Sequence, residues 1–498
     1  MLIQTKKKWQ EPLLIGILLF LATFVLLTNS PLHIWIKDDA ATDSAVFQTV
    51  ALMMDNGYMP YRDSFDHKGP LLYIINIIGR AISAYNGVWV IEFISLFLTF
   101  VFIYKIARLK CTVFESCVTL LVAGTLLFSY FEGGNFVEEY AMPCISISLY
   151  VFLDYFLNNK INAKRLAVCG ACLGAVVLLR PNMIAAWIVF SVAVLFQCIV
   201  EKKNKEIMYF LKFFLLGLGI VIIPICLWLA LNHSLVQFWE DYIQFNRVYI
   251  SAAGGMALFS AKWNSFFTFL NNTIVIIAVV ISALCCKKKE ILYWSYSMYL
   301  FVTLLFICLS GMTFYHYGMV LVPAVAFPLA TAFAYCRNAF ADMGKGNVIT
   351  KAISIYLLSA IILPTWLPCV GKVAELYETR EEQHSSNTEK EVCEYIVNHT
   401  EPEDKISVYG NWGIIYVRSN RMHATRYSYQ FPVGQVMPQI MQEYWEQLAN
   451  ELPKVIVVEA DNYDEEIIQF TETNGYEMVW AEKSDRLESS AIIYQRIQ

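Results

Sequence analysis

Apolar residues along this chain neither alternate nor keep to one helical face. They gather in long runs, most of them near the twenty or so residues that a helix needs to cross the hydrocarbon of a bilayer. Such runs lie near 12–28, 88–107, 113–130, 141–157, 166–180, 183–200, 207–231, 266–285, 291–310, 316–336 and 351–368. They predict about eleven transmembrane helices. The first run is too long, and too poor in a small-residue cleavage site, for a removed signal peptide, and is read as retained.

Past residue 369 the pattern changes. Glu375, Glu378, Glu381, Glu382, Glu389, Glu391 and Glu394 follow one another closely, and Lys454 to Glu459 reads as a short buried strand. Ile406–Tyr409, Tyr476–Ala481 and Ala491–Gln495 are further strand candidates, and 388–398, 438–450 and 463–473 read as helices. The expected fold is therefore a polytopic α-helical membrane protein. Its transmembrane domain is 1–368, and 369–498 is a small C-terminal α/β domain of about 130 residues, an ordinary domain size.

Basic residues give an orientation. Lys6, Lys7, Lys8, Lys105, Arg108, Lys110, Lys160, Lys164, Arg165, Lys202, Lys203, Lys205, Lys287, Lys288, Lys289, Arg337, Lys345 and Lys351 fall on one side of the predicted spans. Lys37, Arg62, Lys68, Arg80, Arg180, Arg247 and Lys262 fall on the other. The rich side is expected in the cytoplasm. That makes this a multi-pass protein of the cell membrane with its N-terminus inside and its C-terminal domain outside.

Composition agrees with lipid as the solvent: 57% of residues are hydrophobic and 16% charged, against about a quarter charged in soluble proteins. A net charge of −5 leaves no basic excess for a nucleic-acid partner. The cysteines lie mostly inside apolar runs, with no metal-ligand spacing, and read as small buried hydrophobes.

Polar chemistry concentrates on the outer side. The first outer loop, 29–87, carries Asp38, Asp39, Asp43, Asp63, Asp66, His67 and Lys68 beside a membrane, where charge is costly and usually functional. Asp39 and Asp43 are four apart and would share a helical face; Asp63 and Asp66 are three apart and could do the same. Carboxylates here could serve as a general base or hold a divalent cation. His67 and Lys68 suit an anion such as a leaving phosphate. Gly69-Pro70 would begin a helix, and the short run Leu71–Ile78 fits an interfacial or re-entrant segment.

The second outer loop brings Glu132, Glu138 and Glu139, the last two also readable as acids favoured at a helix start. Arg180-Pro181-Asn182 and His316-Tyr317 lie at outer membrane ends; singly each reads as an interface anchor, yet all face one side. The aromatic stretch 232–265 reads as an interfacial belt, and the C-terminal domain has no nucleotide-binding glycine fingerprint.

The first loop resembles the GT-C superfamily of membrane glycosyltransferases, closest to the family related to protein O-mannosyltransferases and the lipid A aminoarabinose transferase. The resemblance rests on Asp43-Ser44, then Gly57-Tyr58-Met59-Pro60-Tyr61-Arg62-Asp63, then Asp66-His67-Lys68-Gly69-Pro70. The distance to Gly57 selects Asp43 rather than Asp38 or Asp39 as the family acid. The acid that often follows it is Ser44 here, so Asp39 can take that second place. Glu138 or Glu139, Arg180-Pro181, His316-Tyr317 and the stretch Tyr409-Gly410, Asn420-Arg421, Thr425-Arg426-Tyr427 resemble the family more weakly.

The resemblance implies an inverting transfer from a polyprenyl-phosphate sugar to a surface glycan or glycolipid. Asp43 would act as base, and Lys68, Arg180 and His316 would stabilise the leaving phosphate. It implies no nucleotide outside the cell; no cofactor is required, and a divalent cation is only what the loop acids could hold. A transporter or flippase of lipid-linked saccharides would place its ionisable groups near span centres; here they cluster in outer loops. A surface-glycan polymerase or ligase would place its key basic residues in a late outer loop.

Overall fold

The computed structural model describes residues 2–36, 42–159, 162–251, 255–382, 385–431, 433–481 and 491–497. Each of the apolar runs above is helical. Among the described residues six helices are long and apolar enough to cross a membrane: Glu11–Asn29, Val88–Arg108, Val137–Asn158, Asn204–Leu231, Tyr315–Ala339 and Gly346–Glu378. The Asn204–Leu231 helix buries only 17% of its apolar window and exposes Leu215, Ile220, Ile223 and Leu227. A continuous apolar surface of that kind needs lipid around it. Val113–Phe128, Ala185–Val200 and Ile291–Ile307 are shorter apolar helices.

One expected span, 266–285, is corrected. Leu258–Leu270 and Thr273–Lys288 meet at 88°. Asn271 N–H closes the first helix on Phe267 C=O at 2.8 Å. Asn272 then turns extended, and its Oδ1 caps Ile274 N–H at 3.0 Å. A side-chain cap satisfies a helix start at a new angle, so two amides in sequence break what hydropathy reads as continuous. Residues 235–251, read as loop, are also helical, with a π-turn at Trp239–Phe245.

The chain divides into two compact units that interleave along the sequence: 1–30, 91–224 and 255–378 form one, and 31–90, 225–254 and 379–498 the other. This differs from a single cut at 368, because the last long helix continues to Glu378, and residues 31–90 of the first outer loop and its flank, with 225–254, group with the C-terminal segment.

In the first unit, Ala163–Val177 and Asn204–Leu231 approach backbone to backbone. A Cβ at Gly170 would stand 1.9 Å from Phe214 C=O, and one at Gly217 would stand 1.9 Å from Ala167 C=O. Small residues permit such contacts in membranes, where close packing replaces the hydrophobic drive between helices. Gly217→Val is therefore expected to lower stability by about 1–3 kcal/mol. Melting of the purified protein in detergent checks this; an unchanged midpoint would remove the contact from the account.

In the second unit, β1 (Ser407–Tyr409), β2 (Val455–Glu459), β3 (Tyr476–Ala481) and β4 (Ala491–Arg496) form a sheet in the order β1-β2-β4-β3. β1 and β2 are parallel, and β4 runs antiparallel to both β2 and β3. Ser386 and Asp464 cap the helices Asn387–His399 and Glu465–Thr473. The core joins Val392, Ile396, Val408, Tyr416, Val457 and Ile493 to Leu52, which comes from the first outer loop. The helix Thr42–Asp55 thus packs into the C-terminal core: Ala45 meets Ile414 and Val417, and Thr49 Oγ1 donates to Gly413 C=O at 3.1 Å.

Candidate active site

The second unit gathers the first-loop residues. Asp43 lies in the first turn of Thr42–Asp55, where a carboxylate is favoured by the helix dipole. It is exposed and makes no hydrogen bond or ion pair with the described residues. Asp39 lies outside the described residues, so its shared face with Asp43 does too. One turn along from Asp43, Phe47 lies under the Lys68 ammonium, 5.9 Å from Nζ to the ring centroid. Lys68 Nζ stands 2.8 Å from His67 Nε2, and no carboxylate among the described residues is within ion-pair distance of it.

Asp63 and Asp66 do not share a helical face. They lie in an irregular turn between Pro60 and Pro70, shaped by Tyr61 at φ 68°. Tyr61 N–H donates to Ser64 C=O at 2.9 Å and its hydroxyl to Lys68 C=O at 2.8 Å. Asp63 takes a two-pronged bond from Arg62, at 2.9 and 2.6 Å, and accepts Met59 N–H at 2.7 Å. Burial alone would raise its pKa; these donors bring it below the usual carboxylate range.

Asp66 is buried. It accepts His67 N–H at 2.7 Å, Tyr73 OH at 2.9 Å and Tyr429 OH at 3.0 Å. Burial leaves it above the usual range despite Lys68 and these donors. Asp63 and Asp66 therefore shape the turn. A free base would keep lone pairs for a substrate, and among the acids of this unit named from the sequence and described, Asp43 does.

Sequence reasoning missed Asp241 altogether and gave Arg426 no role. Arg426 forms an ion pair with Asp241 and donates from Nε to Tyr61 C=O at 2.7 Å. Asp241 sits in the aromatic segment Trp239–Phe245, where the lone acid beside Glu240 was the available signal. Burial pushes Asp241 up to about 7 even with the guanidinium beside it.

The first unit gathers the remaining candidates. Glu138 and Glu139 occupy the first turn of Val137–Asn158. Arg180 Nη1 pairs with Glu138 Oε1 at 2.7 Å, and its guanidinium stands 4.0 Å from the Tyr317 ring centroid. His316 Nδ1 is 2.8 Å from Glu132 Oε2, and its ring stacks on Phe136 at 4.1 Å. Read singly, Arg180 and His316 were anchors; in the structure each faces a carboxylate and an aromatic ring. Glu92, also missed, is buried at the start of Val88–Arg108 and accepts Asn135 N–H at 2.5 Å and Ser30 OH at 3.1 Å. Among the described residues no group of three or more His, Cys, Asp or Glu side chains converges as a metal site.

A model of the putative competence-induced protein Ccs4 N-terminal domain matches residues 4–339, more than half of the chain. The chain belongs to that family. Two crystal structures of ArnT from Cupriavidus metallidurans share its fold. The form bound to undecaprenyl phosphate has a TM-score of 0.59 and 10% identity, over 96% of this chain and 97% of that one. The apo form has a TM-score of 0.58 and 10% identity, over 98% of each. No curated protein matches at significant similarity. The fold shared with these two structures agrees with the polytopic helical fold that the first-loop resemblance implied.

A pH effect follows from His423. Its Nδ1 donates to Thr425 C=O, so Nε2 accepts from Ser64 OH, 3.0 Å away. Burial pushes the imidazole down to about 4. A base that stays neutral when folded but charges when unfolded keeps its stability above the unfolded pKa of about 6.5 and loses it as pH falls toward the folded value. The loss is on the order of 3 kcal/mol between pH 6.5 and 4. Asp241 works oppositely: the folded state holds its proton below about 7, so its contribution grows as pH falls. His423→Gln is expected to flatten the acid side of the melting profile. An unchanged slope would show that His423 does not titrate on unfolding.

Proposed function

We propose that this protein is a membrane glycosyltransferase that moves a sugar from a polyprenyl-phosphate donor to an extracytoplasmic glycan or glycolipid, with inversion. The observation that carries the reading is an exposed carboxylate with no hydrogen bond or ion pair among the described residues, close in the chain to a lysine that no described carboxylate approaches within ion-pair distance. Asp43 and Phe47 lie one turn apart on a single helix, and the Lys68 ammonium stands over Phe47. Support also comes from the fold shared with a protein crystallised with undecaprenyl phosphate.

In this reading Asp43 takes the proton from an acceptor hydroxyl as its oxygen bonds to the anomeric carbon. The bond from that carbon to the phosphate oxygen breaks on the opposite face. Lys68 stabilises the phosphate charge that develops. Arg180 and His316 already face Glu138 and Glu132, so their cationic character is less available to an anion than that of Lys68. No step uses a metal or nucleotide. The Lys/Arg asymmetry supports a position outside the cell for the C-terminal domain and this chemistry.

The test offers the purified protein undecaprenyl-phosphate sugars and nucleotide sugars with a cell-envelope extract. Transfer from the lipid donors alone is expected. Transfer from nucleotide sugars alone would overturn the reading.

A further inference from the structure

Residues 423–430 run along the turn 61–66. Phe65 N–H donates to Arg426 C=O at 2.7 Å, Arg426 Nε to Tyr61 C=O at 2.7 Å, and Tyr429 OH to Asp66 Oδ1 at 3.0 Å. His423 holds Ser64 at 3.0 Å. This strap comes from the C-terminal domain, whose task neither the motif nor the proposed chemistry supplies.

Tyr429 continues toward the lysine. Asp66 Oδ1, which takes its hydroxyl, lies 3.4 Å from His67 Nδ1. His67 Nε2 is 2.8 Å from Lys68 Nζ. An ammonium has donors only, so Nε2 accepts and the ring proton sits on Nδ1, facing Asp66. The resulting order is Tyr429, Asp66, His67, Lys68. The main chain of the same turn is fixed as well: Lys68 C=O accepts Tyr61 OH, and His67 C=O accepts Asn246 Nδ2 at 2.8 Å. A cation held in place binds an anion without first paying the entropy of a long side chain.

We infer that Tyr429 is a positioning residue: through Asp66 and His67, the C-terminal strap sets where the Lys68 ammonium stands, and so how tightly the protein holds the phosphate of a lipid-phosphate ligand. The inference rests on the donor reading above. It makes the C-terminal domain part of the binding apparatus. The hydroxyl carries the effect, because the Tyr429 ring packs independently against Phe65 at 6.3 Å.

The experiment titrates the full-length protein in detergent with undecaprenyl phosphate, and separately with undecaprenol, by native mass spectrometry. Wild type, Tyr429→Phe and Tyr427→Phe are compared, with melting curves alongside. Tyr427 is on the same strap but donates to Glu443. Wild type is expected to prefer the phosphate. Tyr429→Phe should bind undecaprenyl phosphate about tenfold more weakly, the scale of one lost hydrogen bond to a charged group, with undecaprenol binding unchanged and melting lowered about as much as in Tyr427→Phe, which also loses a hydroxyl bond to a carboxylate. Tyr427→Phe should match wild type in binding both lipids. Equal phosphate affinity in Tyr429→Phe, or an equal loss in Tyr427→Phe, would overturn the inference and leave the donor reading standing. No preference for the phosphate in wild type would overturn both.

Discussion

Asp43→Asn is expected to lower sugar transfer by about 10²- to 10⁴-fold, the range that positioned general bases contribute. Stability should change little. The side chain is exposed, and the described residues lend it no hydrogen bond or ion pair. Its helix is held from the other face by Ala45, Thr49 and Leu52, so an amide at 43 leaves the packing alone. A surface change of this kind stays within about 0.5 kcal/mol, apart from a small helix-dipole contribution. Transfer rate and melting midpoint, measured on the same preparation, separate the two. A variant that transfers at the wild-type rate would take Asp43 out of the role.

The second large effect is on stability. Arg426→Ala is expected to cost about 3–5 kcal/mol, because it strands a buried carboxylate at Asp241. The same change removes the donor to Tyr61 C=O and the guanidinium that stands 5.6 Å from the Phe65 ring. Asp241 can escape part of the penalty by taking up a proton, since burial already pushes it to about 7. The loss should therefore be larger at pH 8 than at pH 6. Replacing both partners, with Arg426→Met and Asp241→Leu, should recover much of it, because a buried pair exchanged for apolar groups is often neutral. A single variant that melts like wild type at pH 8 would show that the pair contributes no net stability.

The membrane spans were readable because bilayer thickness fixes helix length, and a run such as Ile207–Leu231 has no other reading. The C-terminal strands were readable for a similar reason: Val455–Val458 is buried at every position and appears as an unbroken apolar run. Local punctuation also carried over. Gly69 and Pro70 begin the helix Pro70–Ile82 as expected. The 88° break was less visible, since two asparagines barely lower the hydropathy of the window around them.

The long-range assembly was not readable. Thr49 meets Gly413 across 364 positions, and Arg426 meets Asp241 across 185. No local period encodes such pairings. The helix Thr42–Asp55 reads as part of a loop, yet Ala45 through Met53 are buried, which makes sense only with the C-terminal core beside it. The candidate site shows the same division. Asp43 and Lys68 stand out by type and motif. Asp43 has no hydrogen bond or ion pair among the described residues and Lys68 is bonded to an imidazole, while Asp63 and Asp66 are bonded into a turn; that distinction is a matter of partners that only the fold supplies.

The fate of the donor's sugar–phosphate bond separates transfer from transport. The purified protein, reconstituted in liposomes, receives an undecaprenyl-phosphate sugar of known anomeric configuration and a cell-envelope extract. Released lipid phosphate and the configuration of the new linkage are read together. One undecaprenyl phosphate freed for each sugar transferred, and an inverted anomeric centre, are the expected results. A lipid-linked sugar that crosses the bilayer with its phosphate bond intact, and no new glycosidic linkage, would contradict transfer and identify a transporter.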